Sequence, residues 1–302
     1  MASEFQNSHK STDHELWTVK RILDSSIEWL KLRTADKKLN PRLDSELILS
    51  SVLNMDRMRL YLELDRPLSK TERDCYRGLL LKRASGVPIA HIVGYRDFYR
   101  HRFSVTRETL IPRPDTECLV EAAVGAIQSF TAPRVLDIGT GSGCIALSIA
   151  SECPHATIEA WDISDGALAI ARDNASRLGV TNVKIQKQNA LEVTSYGGSV
   201  FDVIVSNPPY IPWSEKSYCA PETLDFEPPE ALFTADEDGL TFYRVFAQAC
   251  GAALSESGKI FLEVGFTQAE KVAQLFEEKR WRKIVKMKDL SGRDRVISAV
   301  RP

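Results

Sequence analysis

Four residues, Asn207-Pro208-Pro209-Tyr210, follow directly on an apolar run over 201–206. Taken alone, Asn-Pro is an ordinary turn starter. At the carboxyl end of a buried strand it gains chemical meaning, because open α/β sheets bind ligands at strand ends beside the switch in strand order. An amide or aromatic amine is a poor nucleophile, since its lone pair is delocalised into the neighbouring π system, so positioning must supply what reactivity lacks. The Asn207 side-chain oxygen and the Pro208 carbonyl are two acceptors, each able to take one N–H of a target –NH2 group. They would hold its nitrogen toward an electrophilic methyl group and stabilise the positive charge that develops there, so no catalytic carboxylate is required. Pro208 has no N–H of its own, Pro209 fixes the backbone, and the Tyr210 ring is expected to pack over the planar group.

A second stretch, Gly139-Thr140-Gly141-Ser142-Gly143, leaves an apolar run at 135–138 and enters a helical pattern. Alternating glycines permit a tight turn and close ligand approach, at a helix N-terminus whose N–H groups are expected to donate. A dinucleotide fingerprint requires G-x-G-x-x-G, but position 144 is Cys and the third glycine comes one residue early, which sets NAD behind. The next apolar run ends at Asp162, about 20 residues on, where a carboxylate accepts from both ribose hydroxyls of a nucleoside. This suits adenosine without a pyrophosphate. The bland alternative for Asp162 is a helix N-cap, with Ser164 adjacent. After the third run, Gln188-Asn189-Ala190-Leu191 lies where Asn189 offers both donor and acceptor to an adenine edge.

Both stretches need a sheet to position them. Beyond residue 134, short apolar runs at 135–138, 157–161, 183–185, 200–205 and 259–262 alternate with helical stretches at 142 onward, 164–178 and 240–254. The pattern predicts an α/β fold, mainly parallel, with helices on both faces. Runs at 281–285 and 295–300, separated by Ser291-Gly292, predict an antiparallel hairpin at the sheet edge. Upstream, Leu16, Val19, Leu23, Ile27 and Leu30 form one helical stripe, and Pro41 opens a helix carrying Leu43, Leu47 and Val52. A short segment follows Asp56, and Ser69 with Glu72 makes a capping box for a helix stopped by Gly86 and Pro88. The expected division is a frayed leader at 1–14, a helical domain at 15–93, a β-hairpin linker at 94–113, and a catalytic domain at 114–302.

The composition is that of a soluble globular chain, with 43% hydrophobic and 26% charged residues. No apolar run reaches the roughly 18 residues of a bilayer span, and the first residues lack a targeting pattern, so the cytoplasm is the default location. A net charge of −2 lacks the basic surplus of a duplex-DNA binder. Arg96, Arg100, Arg102, Arg107 and Arg113 form a local basic run, read as a solvated ribbon ahead of an RNA contact. The six cysteines are scattered without a C-x-x-C pair or a histidine cluster, and read as reduced and mostly buried, with no metal site.

On these motifs the sequence resembles the HemK or PrmC family, the N5-glutamine methyltransferases of peptide chain release factors. The resemblance runs over nearly all of 15–302. It is carried also by Pro41-Arg42-Leu43-Asp44, by 88–94, by 110–117 (Leu-Ile-Pro-Arg-Pro-Asp-Thr-Glu), by Glu227-Pro228 with Ala231-Leu232, by Asp238-Gly239-Leu240, by Leu262-Glu263-Val264-Gly265, and by 289–296. It implies a seven-stranded Rossmann-like class I methyltransferase sheet with an N-terminal helical bundle. It implies S-adenosylmethionine as cofactor, contacted by Gly139, Thr140, Gly141, Ser142, Gly143, Asp162, Asn189, Ala190 and Asn207. The substrate it implies is the glutamine of a Gly-Gly-Gln loop in a class 1 release factor, gripped by Asn207, Pro208, Pro209 and Tyr210 and docked by the helical domain and hairpin. A monomer without stable DNA or membrane binding is expected. Three positions depart from the family pattern: His91 where Tyr is common, Asn189 where Asp is common, and Thr234-Ala235 where glycine is frequent. Asn-Pro-Pro-Tyr also occurs in amino-DNA and guanine-N2 RNA methyltransferases, the former acting on a base taken out of the stack. These, and a non-catalytic protein that keeps the fold, are the alternatives.

Overall fold

The computed structural model describes residues 16–33, 40–191 and 200–302; the leader at 1–14 lies outside them. The chain divides into two compact units, with the division between Val93 and Gly94.

The first unit is helical: α1 Val19–Arg33, α2 Pro41–Leu53, α3 Arg57–Leu62, α4 Lys70–Ala84 and α5 Ile89–Val93. Side-chain caps start the helices, Asn40 accepting from Leu43 N and Asp56 from Arg59 N, and the capping box of Ser69 and Glu72 is present. Leu16 precedes α1 and is exposed, so it does not join the expected stripe. In α2 the inward side chains are Asp44, Ser45, Ile48 and Leu49, while Leu43, Leu47 and Val52 are half-buried. The helix turns its carboxylate inward because Arg83 of α4 meets Asp44 at 2.7 Å, inside a core with Leu23, Leu30, Leu60 and Tyr76. Helix α4 stops at Ala84, ahead of Gly86 and Pro88 as expected, and the Pro88 carbonyl then accepts from His91 N and Ile92 N at the start of α5.

The second unit opens with an antiparallel hairpin, β1 Tyr95–Phe98 and β2 His101–Ser104. There follow α6 Glu117–Ile127, β3 Arg134–Ile138, α7 Cys144–Glu152, β4 Thr157–Asp162, α8 Asp165–Leu178, β5 Val183–Lys187 and β6 Phe201–Ser206. After these come β7 Ile211–Pro212, α9 Pro221–Phe226, β8 Phe233–Thr234, α10 Thr241–Ala253, β9 Leu254–Glu263, α11 Ala269–Glu278, β10 Arg282–Lys288 and β11 Asp294–Val300. One seven-stranded sheet runs in the order β10-β11-β9-β6-β3-β4-β5. Its neighbours from β9 to β5 are parallel and β11 is antiparallel to β9, so the closing hairpin lies at the edge with β10 outermost.

Alternate residues of β6 enter different cores. Ile204 joins the layer of α10 and α11, with Phe246 and Phe276, while Val203 and Val205 join the layer of α6 and α7, with Leu119 and Leu147. Each such fully buried side chain contributes about 1.5–3 kcal/mol. The hairpin belongs to this second layer through Phe98 and Phe103. The order of parallel strands reverses between β3 and β6, so the turns leaving those two strands border one crevice.

Candidate active site

The turn from β3 into α7 places Gly139, Gly141 and Gly143 at φ +76, +56 and +82°, a region that side chains with a Cβ rarely adopt. A Cβ at Gly139 or Gly141 would meet no protein atom within 4 Å, so these two present bare backbone to open space; at Gly143 it would press on Leu147 and Ala171. Four of the five turn amides are engaged within the protein. Gly139 N and Thr140 N donate to the Trp161 carbonyl, Gly141 N to Asp162 Oδ2 at 2.8 Å, and Gly143 N to the Thr140 carbonyl. Beneath the turn, buried Asp137 accepts from the Thr140 hydroxyl at 2.7 Å and from Ala146 N at 3.2 Å. Burial pushes its carboxyl up to about 7, those two bonds opposing and the Asp162 charge adding.

Asp162 is not the cap of α8. That cap is Ser164, which accepts from Ala167 N, while Asp162 Oδ1 accepts from Ser164 N at 3.0 Å. The carboxylate therefore joins the glycine turn to the start of α8 and keeps further lone pairs on both oxygens. Asn174 of α8 adds a second tie, donating to the Ser142 and Ser104 carbonyls. Asn189 directs Oδ1 to Leu191 N at 3.0 Å, which leaves its –NH2 as the donor end.

On the neighbouring strand, the Ser206 hydroxyl donates to the Ile138 carbonyl at 2.7 Å and ties the two strand ends together. Gly139, Thr140, Gly141, Ser142, Asp162, Asn189, Ala190, Asn207 and Pro209 line one cavity of about 260 Å³. Gly143 and Pro208 are not on its wall; Pro208 is buried. Tyr210 lines a second cavity with Gly265, Gln268 and Arg295. Gln268 holds the backbone here: its Nε2 donates to the Tyr210 and Asp238 carbonyls at 2.8 and 3.1 Å, and its Oε1 accepts from Gly265 N. A Cβ at Gly239, φ +70°, would collide with the same Tyr210 carbonyl. Burial pushes the Tyr210 phenol up, with the Glu263 charge adding and Arg295 and Arg113 opposing.

Several residues of the site had no role assigned from sequence. Arg113 lines the cavity and pairs with buried Glu227 at 2.6 Å, while Ile111 N donates to the other Glu227 oxygen, which fastens 111–113 to 227–231. Asn207 Nδ2 donates to the Thr116 hydroxyl at 3.4 Å, and Glu263, next to Leu262 whose register partner is Ser206, is buried, which pushes its carboxyl up to about 7. A carboxylate closing the apolar run Ile260-Phe261-Leu262 was the visible signal. The arginines of the basic run are largely engaged internally: Arg102 with Asp97, Arg100 with Glu152, Arg113 with Glu227, and Arg107 over the Phe226 ring. Of the six free cysteines Cys144, Cys153 and Cys250 are buried, Cys118 and Cys219 half-buried, and Cys75 exposed.

The arrangement fits a nucleoside ligand: bare glycine backbone, the Asp162 carboxylate and the Asn189 amide converge on one cavity. The Thr109 hydroxyl, buried on its wall, has no protein partner among the described residues.

Residues 27–94 match the PrmC N-terminal domain and residues 116–225 the methyltransferase small domain. A release factor glutamine methyltransferase of Geobacter sulfurreducens is 39% identical over 284 residues, 94% of this chain and 96% of that one. A bifunctional methyltransferase of Rickettsia felis is 39% identical over 88% of this chain, which spans only 56% of that protein. The crystal structure of the release factor-specific protein-(glutamine-N5) methyltransferase from Alicyclobacillus acidocaldarius is 37% identical, covers 66% of this chain and 99% of its own, and has a TM-score of 0.41. Identity of this order along nearly the whole of both sequences, on a sheet of this strand order, makes the chain a member of the release factor glutamine methyltransferase family.

Proposed function

We propose that the chain methylates the side-chain amide nitrogen (N5) of the glutamine in the Gly-Gly-Gln motif of class 1 peptide chain release factors, with S-adenosylmethionine as methyl donor. The observation that carries this reading is the shared cavity: Asn207 lines it together with Gly139, Gly141, Asp162 and Asn189. The names of the relatives, release factor glutamine methyltransferase among them, supply the acceptor. When bound, S-adenosylmethionine supplies a methyl group on a positively charged sulfur.

On this reading Asp162 takes the ribose hydroxyls with the lone pairs left by Gly141 and Ser164, and Asn189 donates to the adenine edge. Asn207 Nδ2 donates to Thr116, also on the cavity wall, so its Oδ1 is the end left to accept an N–H of the target carboxamide. The Pro208 carbonyl, off the cavity wall in the ligand-free chain, would serve as the second acceptor once the substrate is seated. The two oxygens orient the amide nitrogen and stabilise the charge that grows on it. The helical domain at 15–93 and the hairpin dock the release factor, and the monomeric enzyme works in the cytoplasm.

Mass spectrometry of a release factor before and after incubation with the chain and S-adenosylmethionine tests the reading. The expected result is one added methyl group on the Gly-Gly-Gln peptide. Label transferred to ribosomal RNA or DNA instead would reject it. Asn207→Ala is expected to lower kcat by about 10²-fold or more, with cofactor affinity by calorimetry nearly unchanged.

A further inference from the structure

We infer that Arg113 is a further cofactor-binding residue, one that takes the α-carboxylate of the amino-acid tail of S-adenosylmethionine. The inference rests on the donor half of the function proposed above. Three arms leave the sulfur of that cofactor. Asp162 and Asn189 provide for the adenosyl arm, and the methyl arm points to the acceptor beside Asn207. The third arm ends in an α-amino acid, whose carboxylate needs donors of its own.

The glycine turn has few to give. Gly139 N and Thr140 N donate to the Trp161 carbonyl, Gly141 N to Asp162 and Gly143 N to the Thr140 carbonyl. The anion cradle that such a turn ordinarily offers at a helix N-terminus is therefore largely filled from within. The charges on the wall narrow the choice further. Among the described residues the cavity is lined by three carboxylate side chains, Glu108, Asp162 and Glu230, and by one cation, Arg113. An anion entering that wall is repelled by three groups and attracted by one.

The backbone and a buried partner hold Arg113 in place. It stands between Pro112 and Pro114, and a residue before proline is restricted to extended backbone, here φ −99° and ψ 138°. Its carbonyl accepts from Thr116 N at 3.1 Å, and the Thr116 hydroxyl accepts from Asn207. Arg113 thus belongs to the stretch of wall beside the acceptor motif, where the sulfur must come for its methyl to reach the target. Nη2 donates to Glu227 Oε1 at 2.6 Å, and Ile111 N donates to the other Glu227 oxygen at 2.9 Å. Buried Glu227 thereby has both oxygens occupied and secures the guanidinium by one nitrogen. Nε and Nη1 make no hydrogen bond to the described residues, and 37% of the side-chain surface is exposed. A planar fork anchored at one nitrogen and open at the other two matches a carboxylate.

The test is calorimetry on the full chain with two thioether nucleosides: S-adenosylhomocysteine, which carries the amino-acid tail, and 5′-methylthioadenosine, which lacks it. Arg113→Met is expected to weaken S-adenosylhomocysteine by about 10-fold or more and to leave 5′-methylthioadenosine unchanged. Arg113→Lys keeps the charge without the fork and is expected to fall between the two. Unchanged S-adenosylhomocysteine binding in Arg113→Met overturns the inference, and so does an equal loss of both ligands, which would make Arg113 a wall residue only. The wild type supplies a check that needs no variant. Decarboxylated S-adenosylmethionine is expected to bind about 10-fold or more weaker than the intact cofactor, and equal affinity overturns the inference even where Arg113→Met fails to fold. A wild type that binds neither S-adenosylhomocysteine nor S-adenosylmethionine overturns the proposed function, and the inference with it. One that binds both and leaves the release factor unmodified overturns the acceptor half of that function alone, and the calorimetry still decides Arg113.

Discussion

Within the helical unit Asp44 and Glu46 are buried against arginines, whereas Asp137 and Glu263 in the α/β unit are buried with no arginine or lysine at salt-bridge distance among the described residues. For Glu46, burial pushes the carboxyl up, but hydrogen bonds from Tyr61, Arg57 and Arg42 outweigh it and hold it below its ordinary value. For Asp137 and Glu263 burial wins, and both are pushed up to about 7. Glu227, paired with Arg113, shows that the α/β unit is able to build the first arrangement. The difference tracks position: the guanidinium-free carboxylates sit at the carboxyl ends of β3 and β9, beneath the two turns proposed to hold donor and acceptor. A carboxylate fastened to an arginine holds helices together, while one buried without a cation beside it is able to gain or lose a proton near neutral pH.

The largest expected effect breaks the helical side of this contrast. Arg83→Ala would leave Asp44 buried without its guanidinium, and is expected to destabilise the helical unit by about 3–5 kcal/mol, the usual cost of removing one partner of a buried pair. Urea unfolding followed by Trp17 and Trp29 fluorescence reports it. An unchanged midpoint would erase the distinction between the two kinds of carboxylate.

A smaller effect sharpens the other side. A carboxyl raised from its ordinary value to about 7 holds a proton in the folded state that the unfolded chain has already released. Between those two pH values stability therefore falls as pH rises, and it levels off above about 7. Glu263→Gln removes this contribution. Relative to wild type, the variant is expected to gain roughly 2–3 kcal/mol in unfolding free energy between pH 5 and pH 8. A difference that stays flat across this range would mean that Glu263 titrates at an ordinary value.

The turns themselves were legible because each is contiguous in the chain: Gly139 to Gly143 and Asn207 to Tyr210 announce themselves by residue type, and the strands before them by apolar runs. Their supports were not, because Thr116, Asp137, Glu227, Glu263 and Gln268 come from separate elements that only strand order and register bring together. No local signal shows that Gln268, fifty-eight positions later, holds the Tyr210 carbonyl. Among elements, α11 carried a readable pattern, with Ala269, Val272, Ala273 and Phe276 on one buried face, yet the alternation read along the chain passed over it. Helix α6 offered less. Its β-branched residues and glycine, Val120 and Gly125 among them, have lower helix propensity than its alanines and are set by packing.

The smallest effect lies at the donor side and asks whether one hydroxyl suffices to set a buried carboxyl. Thr140 is the only side chain that hydrogen-bonds Asp137 among the described residues, and its bond lowers a carboxyl that burial raises. Thr140→Val removes the donor while keeping the branched shape, so the charged form of Asp137 loses a bond that its neutral form needs less. The expected loss is about 1 kcal/mol at pH 8, shrinking toward pH 5, where the carboxyl is protonated in the folded state. Thr140→Ser should behave as wild type at both pH values. Thermal unfolding of the cofactor-free protein measures this without involving the methyl acceptor. A loss that is equal at pH 5 and pH 8 would assign Thr140 to packing alone and leave Asp137 governed by burial.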